Sequence, residues 1–304
     1  MTATADLILE RRRVRRRLAF WRILAIVAVV VAVGIGAASV SVSAKSGGEH
    51  VARIWIDGVI VSDHERADLI EEIAKDDTAK ALLVRINSPG GTVAGSEELY
   101  EGLRRVAEIK PVVAVMSEAA ASGGYITAIA ADHIVARGNT LTGSIGVVAE
   151  APNIAGLLES VGVNVTRVKS APLKAEPGFL TEPVPGAFEA QQRLIDDSYD
   201  WFRELVGARR GIEGPALDTV ADGRAFTGRE ALALDLIDEL GGETEARSWL
   251  ETEHSIAKDT ELRTRKWGER DLPWPLSMVG LATGDLTPVQ LRLGPGPRLY
   301  ALMY

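Results

Sequence analysis

Residues 81–91 read Ala-Leu-Leu-Val-Arg-Ile-Asn-Ser-Pro-Gly-Gly, and residues 111–125 read Pro-Val-Val-Ala-Val-Met-Ser-Glu-Ala-Ala-Ala-Ser-Gly-Gly-Tyr. Each begins as a short apolar run of strand length. Such a run, bounded by turn residues, reads as a buried strand. The first stops at Asn87-Ser-Pro-Gly-Gly91, a dense turn signal. The second passes through small residues into Ser122-Gly-Gly124, at the entrance of a helix that continues to about Ala131. Residues 96–109 between them read as a helix. Strands alternating with helices at this pace indicate an α/β domain.

The pattern extends outward on both sides. Residues 52–60 are rich in β-branched residues and read as a strand, and residues 68–76 have helical spacing. Downstream, 134–136 read as a strand and Thr142-Gly-Ser-Ile-Gly146 as a turn. Residues 154–161 read as a helix and 163–168 as a further strand. The chain then changes character. Residues 171–185 hold four prolines and read as extended and exposed, and 186–210 form a long helical pattern. Residues 221–242 suggest a turn with one or two short helices, and 261–267 a late strand. From Asp271 the tail is rich in Pro and Gly, so loose packing or partial disorder is expected. No internal repeat is evident.

The N-terminus is of another kind. Residues 1–22 carry seven arginines against Asp6 and Glu10, a net of +5. Subtracting +5 from the whole-chain charge of −8 leaves −13 for the remainder. An acidic body argues against nucleic acid as a partner. After the arginines, residues 23–44 contain no charge. As a helix they would span roughly 33 Å at ~1.5 Å per residue, enough for a hydrocarbon core of about 30 Å. Arginines hold their end in the cytoplasm, so the body is expected outside. Val42-Ser-Ala44 also has the small residues of a signal-peptide cleavage site, but the run is longer than an h-region of about 7–15 residues. An uncleaved anchor is the expectation, with 45–50 as a linker.

The 304 residues include no cysteine, which excludes disulfides and thiolate metal sites. The four histidines, His50, His64, His133 and His254, form no paired metal-binding spacing. No metal and no cofactor is expected.

Ser122 stands among small residues that let a substrate backbone come close. At a helix start, first-turn N–H groups are unpaired and can stabilise a developing oxyanion. Serine is equally favoured there as a plain N-cap, so local sequence leaves both readings open. Ser88 is a rival nucleophile, but beside Pro89 in a turn it reads as structural. A serine nucleophile needs a base. None of the four histidines sits in a turn motif suited to that role. A lysine can serve if burial keeps it neutral near pH 7. Lys174, within Ala-Pro-Leu-Lys-Ala, and Lys169, after an apolar run, are the candidates.

Several motifs stand in order: Asn87-Ser-Pro-Gly-Gly91, Ala121-Ser-Gly-Gly-Tyr125, Leu141-Thr-Gly-Ser-Ile-Gly146, Lys169-Ser-Ala-Pro-Leu-Lys174, then Ala221-Asp-Gly-Arg224 with Gly228-Arg229. Together, over roughly residues 50–245, the chain resembles the signal peptide peptidase A family in its short, single-unit form. The resemblance implies a ClpP/crotonase-like superhelix of ββα units. It also implies a Ser-Lys dyad with Ser122 as nucleophile and Lys174, 52 residues downstream, as general base. Lys169 then reads as structural. Backbone N–H groups of Gly91 and Gly123 would hold the oxyanion, and Ser144 is a candidate to orient the lysine amine.

The resemblance further implies an inner-membrane serine endopeptidase with its catalytic domain outside the cytoplasm. Its substrates would be signal-peptide remnants or other apolar peptides. A homo-oligomeric ring is expected, with each dyad completed by a neighbour's lysine. His133 stands where the family often has lysine. The division expected is a basic cytoplasmic segment at 1–22, the anchor at 23–44, the linker at 45–50, a peptidase domain at 51–250 and a partly irregular extension at 251–304. Two other classes compete: a catalytically inactive membrane scaffold of this fold, and a crotonase-type acyl-CoA enzyme. The anchor argues against the second.

Overall fold

A computed structural model describes residues 48–267 continuously, together with Trp21, Leu24 and the backbone of residues 300–302. Apart from Leu24, the anchor expected at 23–44 lies outside the described residues. No described helix is long and apolar enough to cross a membrane. Residues 1–49 and 50–304 form separate units, and the sheet with its helices belongs to the second.

The apolar runs at 81–86 and 111–116 both lie in strands. β2 (Ala79–Ser88) carries the first, and β4 (Val112–Ala121) the second. β1 (His50–Asp57) pairs parallel with β2, and β2 pairs parallel with β4. Parallel neighbours need crossovers, and these are helical. Helix α1 (His64–Lys75) joins β1 to β2. The short strand β3 (Gly90–Thr92) and helix α2 (Val93–Ala107) lead from β2 to β4. Asp63 caps α1 by accepting the Arg66 N–H, and Thr92 caps α2 by accepting the Gly95 N–H.

β4 splits its pairing. Its first half, Val113–Met116, runs beside β5 (His133–Ala136), and its end, Ala119–Ala121, beside β6 (Leu141–Gly143). Thr140 makes the corner between them, accepting the Arg137 N–H and donating to the Ser117 carbonyl. β7 (Ala225–Thr227) extends the sheet antiparallel from β6, and β8 (Glu239–Leu240) runs beside β5.

Both faces of the central strands are covered, which explains their nearly unbroken apolar sequence. Ile54, Ile56, Leu82, Val84, Ile86, Ala114 and Met116 face the main core. It also takes residues of α1, α2, α3 (Gly123–Ala128) and the 24-residue helix α5 (Ala187–Arg210). The alternate residues Val51, Leu83, Val113 and Val135 pack on Ala246 and Leu250 of helix α8 (Glu243–His254). β9 (Glu261–Thr264) pairs with β1, so the sheet continues past residue 250.

Most elements expected from sequence occur within a few residues of their expected bounds. Residues 163–168 differ: they form no strand. Their alternating β-branched pattern has the propensity, but a strand needs an edge to pair with, and Val163 and Val168 are exposed. Between α4 (Ala155–Ser160) and α5 the chain is an irregular arm. Helix α6 (Gly214–Val220), and helix α7 (Gly228–Ala233) with its Thr227–Glu230 capping box, complete the described helices of the second unit, and residues 300–302 form a short strand antiparallel to β3.

Lys110 shows how a polar side chain supports this core. It is 9 % exposed, and its Nζ donates to the carbonyls of Ile73 (2.8 Å) and Asp76 (2.7 Å) at the end of α1. Each carbonyl also accepts one main-chain N–H, Ile73 O from Asp76 (3.3 Å) and Asp76 O from Ala79 (3.1 Å), so the ammonium adds a second, charged donor to both. Lys110→Met keeps most of the apolar stem and removes the charged donor from both carbonyls. We expect a loss of about 1–3 kcal/mol in chemical denaturation; unchanged stability would mean that water replaces the ammonium.

Candidate active site

Ser122 lies where β4 turns into α3. Its backbone has φ 53° and ψ −115°, a conformation that L-residues rarely adopt. Strain of this kind costs on the order of 1–3 kcal/mol and persists only where the surroundings hold it. Here the Ser122 N–H donates to Gly143 O (2.8 Å), and the Ser122 carbonyl accepts from Tyr125 and Ile126 as the first acceptor of α3. The far end of that segment is fixed by two arginines. Arg209 donates to the carbonyls of Ile129 and Ala131, and Arg104 to that of Ala130. Tyr125 is fully buried and donates from its hydroxyl to Leu236 O (2.8 Å); burial pushes its ionisation far above the ordinary range.

The Ser122 side chain is 0 % exposed, and its Oγ has no hydrogen-bond partner among the described residues. A buried hydroxyl normally finds one. It therefore caps nothing, which removes the plain N-cap reading.

β3 sits against this turn. Ile60 donates its N–H to Gly90 O (2.9 Å) and accepts the Thr92 N–H (2.8 Å), a parallel bridge centred on Gly91. A Cβ on Gly91 would lie 1.8 Å from Ile60 O. A Cβ on Gly123 would lie 2.3 Å from Ser96 Oγ and 3.0 Å from the Gly91 nitrogen. Gly91 and Gly123 thus meet backbone to backbone, one residue from Ser122. Ser88 Oγ accepts the Gly90 N–H (3.1 Å) and so shapes the loop as a structural group.

Ser144 follows Gly143, the acceptor for the Ser122 N–H, and has φ 50°. Both candidate lysines lie in the arm. Lys169 donates to Pro172 O and to Glu176 Oε1, each at 2.6 Å. Glu176 is 2 % exposed and also meets Arg167. The Lys169 hydrogen bond, then the nearby positive charges, hold its carboxyl below the usual range, so it is ionised at neutral pH. Lys174 is exposed, and its side chain makes no hydrogen bond or ion pair among the described residues. Neither lysine reaches Ser122 Oγ within this chain.

The histidines are engaged elsewhere. His50 is buried near Asp76. His133 stacks on Trp249 and faces Asp238 and Glu239, and His254 meets Trp249 edge-on. His64 is exposed at the start of α1. No group of residues suited to a metal occurs among the described residues. A groove of about 600 Å³ is lined by Trp55, Arg85, Glu118, Arg137 and Glu243 among others, and Ser122 does not line it. The Ile60 bridge carries no signal in the sequence beyond the turn residues it supports, whereas Ser88 takes the structural part that its turn setting suggested.

The family described as Peptidase family S49 matches residues 104–257. A protease-named protein of Synechocystis sp. is 43% identical over 203 residues, covering 66% of this chain and 73% of that protein. The chloroplastic serine protease SPPA of Arabidopsis thaliana is 35% identical, over 61% of this chain and 28% of that one. Protease 4 of Haemophilus influenzae is 32% identical, over 70% and 36% respectively.

The close approach at Gly123 gives a stability test. Gly123→Ala should lower the melting temperature, by about 1–3 kcal/mol of overpacking. Ser96→Ala removes the nearest clashing atom, so the double variant should regain part of that loss. A double variant no better than Gly123→Ala would mean that Ser96 is not the limiting contact.

Proposed function

The chain belongs to peptidase family S49, and from that membership we propose that it is a membrane-anchored serine endopeptidase working through a Ser122–Lys174 dyad. The observation that carries the reading is Ser122: a buried hydroxyl without a partner among the described residues, on a strained turn, beside two main-chain segments that approach through glycine. A strained strand-to-helix turn is how other hydrolase folds present a nucleophilic serine.

In the proposed reaction a neutral Lys174 takes the proton from Ser122 Oγ, which attacks a peptide carbonyl. The N–H groups of Gly91 and Gly123 stabilise the oxyanion. The proton passes to the leaving amine, and water hydrolyses the acyl-enzyme. Ser144, beside the residue that anchors Ser122, orients the lysine amine.

Two unfilled needs support a base donated by a neighbouring copy. Among the described residues Ser122 Oγ has no partner, and the Lys174 side chain has none either. Lys169 is occupied by Glu176. The arm that carries Lys174 exposes Val161, Val168, Leu173 and Phe179, and α4 before it exposes Leu157, an apolar surface suited to burial against another copy. A ring of copies on a ClpP/crotonase-like fold, anchored through residues 23–44 with its body outside the cytoplasm, would meet signal-peptide remnants and other apolar peptides.

Ser122→Ala should lower hydrolysis of an apolar reporter peptide by about 10³-fold or more at unchanged melting temperature. Lys174→Ala should match it, and Lys169→Ala should lose far less. Retained activity in Ser122→Ala would remove the peptidase assignment. Co-expressing the two inactive variants tests donation between copies. Random neighbours in a ring restore roughly a quarter of the wild-type rate, whereas a dyad closed within one chain restores none.

A further inference from the structure

Gly91 keeps its place through Ile60, which donates its N–H to Gly90 O and accepts the Thr92 N–H. Ile60 belongs to the connector between β1 and α1, and connectors are more mobile than the elements they join. Two contacts hold this one, a residue further on. The Arg66 side chain turns back from the first turn of α1 and donates from Nη2 to Val61 O at 2.6 Å. The first turn of α2 packs on the same peptide: a Cβ on Gly95 would stand 2.6 Å from the Val61 carbonyl carbon and 2.7 Å from the Ser62 nitrogen. Close packing and one charged hydrogen bond therefore fix the connector.

An arginine is a costly choice for that bond. Arg66 is 6 % exposed, and the Trp267 ring centroid lies 5.9 Å from its guanidinium carbon. Burial lowers its pKa from the ordinary value, against the raising effect of the Asp63 and Glu98 carboxylates. Burying a charge costs free energy, and a neutral donor could satisfy a carbonyl. What the charge adds is strength, since a charge-assisted hydrogen bond is shorter and about twice as strong as a neutral one. The peptide held so firmly is the one that follows Ile60.

We propose that Arg66 is a positioning residue for the oxyanion donor: through the Val61 carbonyl it steadies the Ile60 bridge, and the bridge sets the direction of the Gly91 N–H. The proposal rests on Ser122 acting as nucleophile and Gly91 as donor. Arg66 itself touches no substrate. Its influence is felt in the transition state, where negative charge on the oxygen makes an aimed donor count most.

The test is hydrolysis of an apolar reporter peptide by the full chain in detergent, with a peptide aldehyde as inhibitor. Ser122 Oγ adds to the aldehyde carbon, its proton passes to Lys174, and the former carbonyl oxygen takes the oxyanion's place. Arg66→Met should lower kcat about 10- to 100-fold at unchanged KM and weaken the aldehyde by a similar factor. Arg66→Lys, which keeps a charged donor, should recover part of both losses. If Arg66→Met does not fold, Arg66→Lys against wild type decides: a lower kcat with weaker aldehyde binding supports the proposal, and unchanged values overturn it. A purely structural Arg66 would lower the melting temperature and leave kcat and aldehyde affinity per folded molecule as they were. That result, or a change confined to KM, overturns the proposal alone. Equal hydrolysis by wild type and Ser122→Ala removes the peptidase reading and this proposal with it.

Discussion

The site depends on how closely two main-chain segments come together. A single methyl group on Gly123 would lie 2.3 Å from Ser96 Oγ, and one on Gly91 would lie 1.8 Å from Ile60 O. Both distances are far inside van der Waals contact. The glycines are there because something must pass this close, and that something is backbone. Ser122 takes its strained conformation at the same junction, held by Gly143 on one side and by the start of α3 on the other. Around it the sheet, the arginine-fixed end of α3 and the Ser88 hydroxyl supply rigidity that a six-residue helix lacks by itself.

The central strands were legible because burial on both faces leaves a mark on every residue in them. In its local sequence the Ser122-Gly-Gly124 turn was legible only as a place of small residues, since an N-cap would read the same, and the nucleophile expectation came from the order of the motifs. What separates the two is an unpartnered oxygen, and a hydrogen-bond partner is a property of the fold. The Ile60 bridge was invisible for a similar reason. It joins single residues 31 positions apart, and neither has a side chain that announces the contact. Residues 163–168 failed in the opposite sense. Their pattern is strand-like, yet they pair with no strand among the described residues, and propensity without pairing leaves irregular chain.

The arm joins two kinds of residue that a monomer does not need on its surface. It shows large apolar side chains to solvent, and it carries a lysine with nothing to bind among the described residues. Its own shape is kept by a small ion cluster of Lys169 and Arg167 around the nearly covered Glu176 carboxylate. The proposed contact between copies would use both, a rigid local shape and an exterior that a partner can cover.

The bridge to Ile60 has a consequence for direction. With one side of β3 consumed, a guest strand has one edge to use, and the strand there runs antiparallel. Main-chain donors and acceptors along an edge are ordered, so a peptide read backwards puts its amides where carbonyls belong. At such an edge the polarity of a guest chain decides which of its residues meets each main-chain group of β3.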